Sequence, residues 1–213
     1  MRHALIHSLA AVAAATFALH AQAAEQTRSV APFTTISNSG PINLVIEVGK
    51  AQSVVVSGSD DYLEDVRTEV SGGELRIKMH NDSHVDNRHW NDMKVVVTVP
   101  TLTAFTMGGA GQTTITHVSG DSLDIRFGGA GSLKADGSVK SLKLNVGGVG
   151  SIDTRELHAD AVDVNLGGVG SVKVWAGQTL DASVGGVGSL TYYGEPKQVN
   201  TRGGGLGSIS KGK

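Results

Sequence analysis

The chain has 213 residues, a length that suits one domain of ordinary size or two small ones. Its 18 basic and 20 acidic residues nearly balance, so the charge gives no indication of nucleic acid or an anionic membrane as the main partner. Cysteine is absent, which excludes disulfides, thiol catalysis and thiolate metal sites.

Residues 1–24 are typical of a secretory signal peptide. An Ala-rich apolar run extends from Leu5 to Leu19, and Ala21-Gln22-Ala23 supplies a small-x-small cleavage pattern. The apolar run is shorter than the ~20 residues that a membrane span needs, which disfavours a retained anchor. We expect cleavage after Ala23 or Ala24 and a mature chain without a membrane span, located in the periplasm, on the outer-membrane surface or outside the cell.

Residues 25–100 predict an irregular β portion. Four runs rich in β-branched residues are bounded by glycine or proline: Ile42–Val48, Ser53–Val56, Leu75–Met79 and Lys94–Val99. Between the second and third runs, the segment from Asp60 to Val66 favours one or two helical turns. We interpret this portion as the front of a larger β-solenoid, where it covers the edge of the first coil.

The segment from His80 to Asp92 is the densest polar cluster of the chain. Its composition is typical of an exposed hairpin loop, since Asn, Asp and Ser favour turns. The alternative is a zinc or copper site formed by His80, His84 and His89, because imidazole is a good ligand for both ions. The spacing of the three histidines matches no established metal motif, so the loop is the favoured interpretation.

Residues 101–213 contain six copies of a Gly-Gly-x-Gly repeat, separated by steps of 20, 19, 20, 18 and 19 residues. A fixed period near 19 predicts a solenoid, in which each repeat buries its apolar face by stacking on its neighbours. We expect the paired glycines to form stacked turns in which a β-carbon would collide with the next coil. These turn residues are Gly108, Gly109, Gly128, Gly129, Gly147, Gly148, Gly167, Gly168, Gly185, Gly186, Gly204 and Gly205.

Residues before each glycine pair alternate between apolar and polar, as in a strand with one buried face. Leu142, Leu144 and Val146 are one such set. No segment between the repeats has the helical periodicity of a crossover helix, so parallel stacking of strands is favoured. In that register a serine column forms (Ser132, Ser151, Ser171, Ser189, Ser208), and so do two columns of alternating charge (Asp124, Lys143, Asp163 and Lys134, Asp153, Lys173).

The glycine repeat does not match the glycine motifs that bind ligands. Calcium-binding rolls need a carboxylate two residues after the last glycine, and five of the six residues at that position are apolar. Phosphate loops need the glycines to open a helix, which strand-to-strand turns do not provide. His117 and His158 are isolated, and a GxSxG motif is absent, so we expect neither a catalytic nucleophile nor a cofactor.

The same register places Asp136, Arg155, Trp175 and Tyr193 in one outward column. Arg155, Trp175 and Tyr193 would then form a small exposed ridge that can stack on sugar rings or accept a partner's side chain. The plainer alternative is that the aromatic residues cover a loop or a coil edge. This ridge is the favoured ligand-contact surface.

The order of motifs from Phe33-x-x-Ile36 through Ser53-Val54-Val55-Val56-Ser57-Gly58 and Val97-x-Val99-Pro100 to the GGxGS coils resembles the head GIN domain family. Members of this family are bacterial envelope proteins described as autotransporter adhesins. The resemblance covers roughly residues 33–210 and implies a right-handed parallel β-helix.

We therefore predict an all-β protein that acts as an exported, non-catalytic, adhesin-like module with an envelope polymer or protein as its partner. Two alternatives remain open: a polysaccharide-active β-helix enzyme, and a periplasmic protein that binds metal through the His80–His89 loop.

Overall fold

The computed structural model describes residues 24–80 and 93–213, which form a sheet of fifteen strands and one short helix. The N-terminal elements are β1 (Ala24–Thr27), β2 (Thr35–Asn38), β3 (Asn43–Val48), β4 (Ser53–Gly58), α1 (Asp60–Leu63), β5 (Val66–Ser71), β6 (Glu74–Met79), β7 (Lys94–Val99) and β8 (Ala104–Met107). The repeat region forms β9 (Ala110–Phe127), β10 (Ala130–Val146), β11 (Val149–Leu166), β12 (Val169–Val184), β13 (Val187–Tyr193), β14 (Gln198–Gly203) and β15 (Leu206–Lys211). The predicted signal peptide lies almost entirely outside the described residues.

The repeats stack as parallel coils, so the predicted β-solenoid is confirmed. Strands β9 to β12 are each 16 to 18 residues long, and each pairs in parallel with the next. Leu142 lies between Leu123 and Val162 in this ladder, and all three side chains are buried. The alternation in the sequence therefore corresponds to one face in the core and one in solvent, as period-two strands require.

The N-terminal strands continue the solenoid and then close its end. Strand β3 pairs in parallel with β9, and β2 pairs in parallel with β8. Beyond β3 the pairing changes direction, because β4 is antiparallel to β7 and β1 is antiparallel to β4. A second antiparallel pair, β5 with β6, lies next to β2. The change to antiparallel pairing covers the edge of the first coil, which a solenoid needs at its end.

The interior is one continuous cluster of buried apolar side chains that extends from Phe33 to Leu190. Phe105 pairs with Ile125 and Met107 pairs with Phe127 on neighbouring strands, and all four side chains are buried. Burial of each such large side chain contributes about 1.5–3 kcal/mol. Because no disulfide is possible, this packing and the ladder hydrogen bonds hold the coils together.

The three glycines of each repeat differ in how closely they are packed. A β-carbon on Gly168 would lie 2.0 Å from the carbonyl oxygen of Gly148 in the preceding coil. The glycine two residues later is as crowded, since a β-carbon on Gly170 would lie 1.8 Å from the Gly150 oxygen. The first glycine of the pair is not crowded in this way. At Gly185 a β-carbon would meet nothing within 4 Å. Stacking therefore requires glycine at the second and third positions of the repeat.

The predicted outward columns are present. Ser151 pairs with Ser132 and Ser171, and the hydroxyls of Ser151 and Ser171 are 3.1 Å apart. Lys143 lies between Asp124 and Asp163, as the alternating charges predicted. The alternation ends one coil later, where Asp163 is next to Asp181.

Candidate functional site

One corner of the solenoid carries irregularities that the rest of the ladder lacks. The register between β11 and β12 shifts between Thr154 and His158 and again between Ala159 and Ala161. At the first shift, residues 155–157 of β11 have no partner on β12 and form a bulge, whereas at the second shift β12 has one residue more than β11. The bulge projects Arg155 and Glu156 from the corner.

The aromatic column of this corner contains His158, Trp175 and Tyr193. Trp175 pairs with His158 on the preceding coil and with Tyr193 on the following one. The rings of His158 and Trp175 are stacked, with centroids 4.4 Å apart and an interplanar angle of 28°. Trp175 and Tyr193 are half-buried, whereas His158 is exposed.

Arg155 lies beside this column. The uniform register had predicted it within the column, and that prediction is wrong. Its guanidinium carbon lies over the ring of Tyr193, 5.5 Å from the centroid. Its Nε and Nη2 donate to the Oδ1 and Oδ2 of Asp153 at 2.9 and 2.7 Å. The bulge therefore carries Arg155 out of the ladder but leaves it against Tyr193, so the structure brings the three predicted residues together.

The pair of Asp153 and Arg155 sets the charge at the corner. The hydrogen bonds from Arg155 lower the pKa of Asp153 below its ordinary value. In return, Asp153 and then Tyr193 raise the pKa of Arg155. Both groups stay ionised under physiological conditions, and the bidentate geometry fixes the direction of the guanidinium.

Glycine backbone lies against the aromatic rings on the following coils. A β-carbon on Gly194 would lie 3.1 Å from Trp175, and one on Gly212 would lie 2.3 Å from Tyr193. Glycine at these two positions gives the rings the space they occupy. The aromatic side chains therefore pack against the coil edge, as the alternative interpretation of the ridge had proposed. Each ring is only half-buried, so part of it still faces solvent.

A groove with a volume of about 450 Å³ runs along this column. Its charged members include Glu156, Glu195 and Lys211, and Nζ of Lys211 donates to both carboxylate oxygens of Glu195 at 2.9 and 2.8 Å. A second groove of about 260 Å³ shares Arg155 and Glu156 with the first. The bulge of β11 therefore separates two adjoining clefts, with aromatic and paired charged groups around the larger one.

The predicted metal ligands belong to another part of the molecule. His80 follows β6, and its backbone N–H donates to the carbonyl of Asp65 at 2.9 Å. His84 and His89 lie outside the described residues, so the metal hypothesis stays a prediction. Within residues 24–80 and 93–213, no three His, Asp or Glu side chains are grouped to hold an ion.

His158 is the residue of this corner that sequence reasoning missed. Counting four residues beyond each repeated serine predicted Arg155 at the position in the column that His158 occupies. The repeat lengths contain the missing information, since the step from Gly147 to Gly167 is 20 residues and the step from Gly167 to Gly185 is only 18. Unequal coils in a continuous ladder require a bulge in the longer one.

Comparison with known proteins agrees with the fold. Residues 32–196 match the family model described as "Putative auto-transporter adhesin, head GIN domain". The chain belongs to the head GIN domain family. No protein with a curated description matches it.

Two solved structures resemble this head GIN domain protein. One, a "putative adhesin" from Bacteroides fragilis, has 25% identity and a TM-score of 0.73, and the match covers 90% of this chain and 98% of that one. Another "putative adhesin", from Parabacteroides distasonis, has 18% identity and a TM-score of 0.51, with 89% and 96% covered. The second likeness concerns the fold alone. No helix in the described part of the chain is long and apolar enough to cross a membrane.

Proposed function

We propose that this head GIN domain protein is an exported, non-catalytic binding module of the bacterial cell envelope. Membership of an adhesin-described family supports a binding role. The observation that carries the proposal is the groove at the bulged corner, where Arg155, Trp175 and Tyr193 converge on one rigid edge. We infer that an envelope polymer or a protein partner contacts this edge.

The chemistry of the groove fits recognition by contact. Aromatic side chains supply a large contact area at low conformational cost, and a guanidinium beside an aromatic ring offers both charge and planar surface. The internal pairing of Arg155 with Asp153 and of Lys211 with Glu195 holds these groups in place before binding. A preorganised surface loses less entropy when a ligand binds.

The binding test uses the purified protein on an array of glycans, cell-wall fragments and envelope proteins. We expect Trp175→Ala and Tyr193→Ala to lower the retention of any captured ligand at least tenfold. Arg126→Ala is the control. Like Arg155, Arg126 pairs with an aspartate two residues earlier, but it lies outside the groove. Equal loss in Arg126→Ala and Tyr193→Ala would contradict the assignment of the groove.

The alternative of a polysaccharide-active enzyme is separated by the same array. An enzyme shortens the glycan that it binds, so chain length is measured after prolonged incubation. We expect every captured glycan to keep its length. Fractionation of the producing cells tests export, and recovery of the chain in the cytoplasm with residues 1–24 still attached would contradict it.

A further inference from the structure

A column of exposed apolar residues runs along the solenoid at the variable position of the Gly-Gly-x-Gly repeat. Val149 pairs with Ala130 and Val169, and Val187 pairs with Val169 and Leu206. The complete column is Ala110, Ala130, Val149, Val169, Val187 and Leu206. The exposed fraction is 57% at Val149, 47% at Val169 and 83% at Leu206.

Two polar columns follow on the same face. The first contains Gln112 and the serines Ser132, Ser151, Ser171, Ser189 and Ser208. The second contains Thr114, Lys134, Asp153, Lys173, Thr191 and Ser210. Six rungs at about 4.8 Å make the face about 24 Å long. The face thus has an apolar edge, a hydroxyl centre and a charged edge.

The fold does not require apolar residues at the exposed edge. Each of them lies between two glycines and points outward, so a polar side chain fits there equally well. Stacking of β-branched neighbours contributes only about 0.2–1 kcal/mol per pair. An apolar residue in all six repeats therefore points to a surface that is covered by a partner.

We propose that this face binds the same face of a second copy of the chain. The two-fold axis lies along the strand direction, midway between the rungs of Val149 and Val169. The two solenoids then run in opposite directions, and the first rung of one copy faces the last rung of the other. Each column lies opposite its own counterpart, as an isologous interface requires.

Residue sizes complement each other in this arrangement. The apolar column grows along the chain from alanine through valine to leucine. Reversal places Ala110 opposite Leu206 of the partner subunit and Val149 opposite Val169 of the partner subunit. Large residues thereby face small ones at both ends, and medium ones meet at the centre.

The charged column selects this axis over the alternatives. Asp153 lies opposite Lys173 of the partner subunit, and the symmetry repeats the contact. An axis through the rung of Asp153 would place two aspartates face to face, which is destabilising. An axis along the solenoid would place the apolar column against the charged one. Only the midway axis pairs opposite charges and uses all six rungs.

The size of the face sets the strength of association. The three columns are two residues apart, so the face is about 24 Å long and about 13 Å wide and covers about 300 Å² per copy, or about 600 Å² in total. That is smaller than the interfaces of stable complexes, so we expect a weak, transient dimer that forms only as concentration rises. Analytical ultracentrifugation of the purified protein over a hundredfold concentration range should show the mass rising from one chain towards two.

Substitutions test the geometry of the dimer. We expect Val169→Glu to weaken dimerisation at least tenfold, because it buries a carboxylate at the centre of the interface. Lys173→Asp should do the same by placing carboxylates opposite each other, and it leaves the hydrogen bonds between Arg155 and Asp153 in place. Lys143→Asp, the same change of charge on a column outside this face, is the control. Thermal unfolding confirms that each variant is folded.

A chain that stays monomeric at every concentration overturns the proposal, and leaves the apolar column to a partner of another kind. A dimer that tolerates Val169→Glu or Lys173→Asp also overturns it. Because the groove at the bulged corner is tested by ligand retention, failure of the dimer leaves the proposed function unaffected.

Discussion

A β-carbon on Gly148 would lie 2.0 Å from the carbonyl oxygen of Gly129, whereas at the neighbouring Gly147 it would meet nothing within 4 Å. The two glycines are adjacent in sequence and identical in type, yet only at Gly148 would a side chain collide with the preceding coil. Both backbone N–H groups donate to the carbonyl of Phe127. The difference therefore lies in the direction in which each α-carbon would project a side chain.

We expect Gly148→Ala to lower the free energy of unfolding by about 3 kcal/mol or more, because a contact with backbone can be relieved only by moving the coils apart. Gly147→Ala should change it by less than about 1 kcal/mol, and can raise it by restricting the unfolded chain. Urea denaturation followed by circular dichroism measures both. Equal destabilisation by the two substitutions would show that stacking does not set the requirement for glycine.

This contrast shows what the repeat could and could not predict. The 19-residue period and the alternation of apolar residues predicted parallel coils, the serine column and the buried face, because each depends on in-register stacking alone. The separate roles of Gly147 and Gly148 were not predictable, since both occupy a tight turn. The order of the aromatic column failed for a related reason: a bulge shifts register locally, and a uniform count assigns Arg155 to the position of His158.

The stack of His158 on Trp175 should be visible in fluorescence. His158→Ala removes the imidazole from a ring 4.4 Å away and exposes the indole to water. We expect the emission of Trp175 to shift to longer wavelength, measured in a Trp90→Phe background so that a single tryptophan reports. His117→Ala is the control, because His117 lies on another coil. An unchanged spectrum in His158→Ala would be inconsistent with stacking in solution.

Protonation of Asp153 at low pH should lower the stability of the folded protein at the bulged corner. Arg155 lowers the pKa of this carboxyl, so its stabilising contribution is fully present above the ordinary value near pH 4 and is lost as the pH falls through the lowered one. We expect Asp153→Asn to lower the melting temperature slightly at pH 7, and the difference from the unsubstituted protein to shrink as the pH falls below about 4. Because the pair is partly exposed to solvent, the effect at pH 7 is small.

Arg155→Ala provides the matching measurement for that pair. Removing the guanidinium should lower the melting temperature at pH 7 and abolish any further effect of Asp153→Asn. Additive losses in the double variant would mean that the two groups stabilise the corner separately.

The interrupted charge column offers a stabilising substitution. Asp181 lies next to Asp163 in the ladder, and like charges directly opposite are destabilising. Asp181→Lys would extend the alternation of charge that runs through Asp124, Lys143 and Asp163. The side-chain amide of Asn200 now donates to Asp181 at 3.0 Å. In the variant, the side-chain carbonyl of Asn200 can accept from the new ammonium. We expect the free energy of unfolding to rise by about 0.2–1 kcal/mol, with the gain reduced in 1 M salt because exposed charges are screened. Lys143→Asp, which places four carboxylates in succession, should have the opposite effect and the opposite dependence on salt. If neither variant responds to salt, the charges of this column do not interact across the coils.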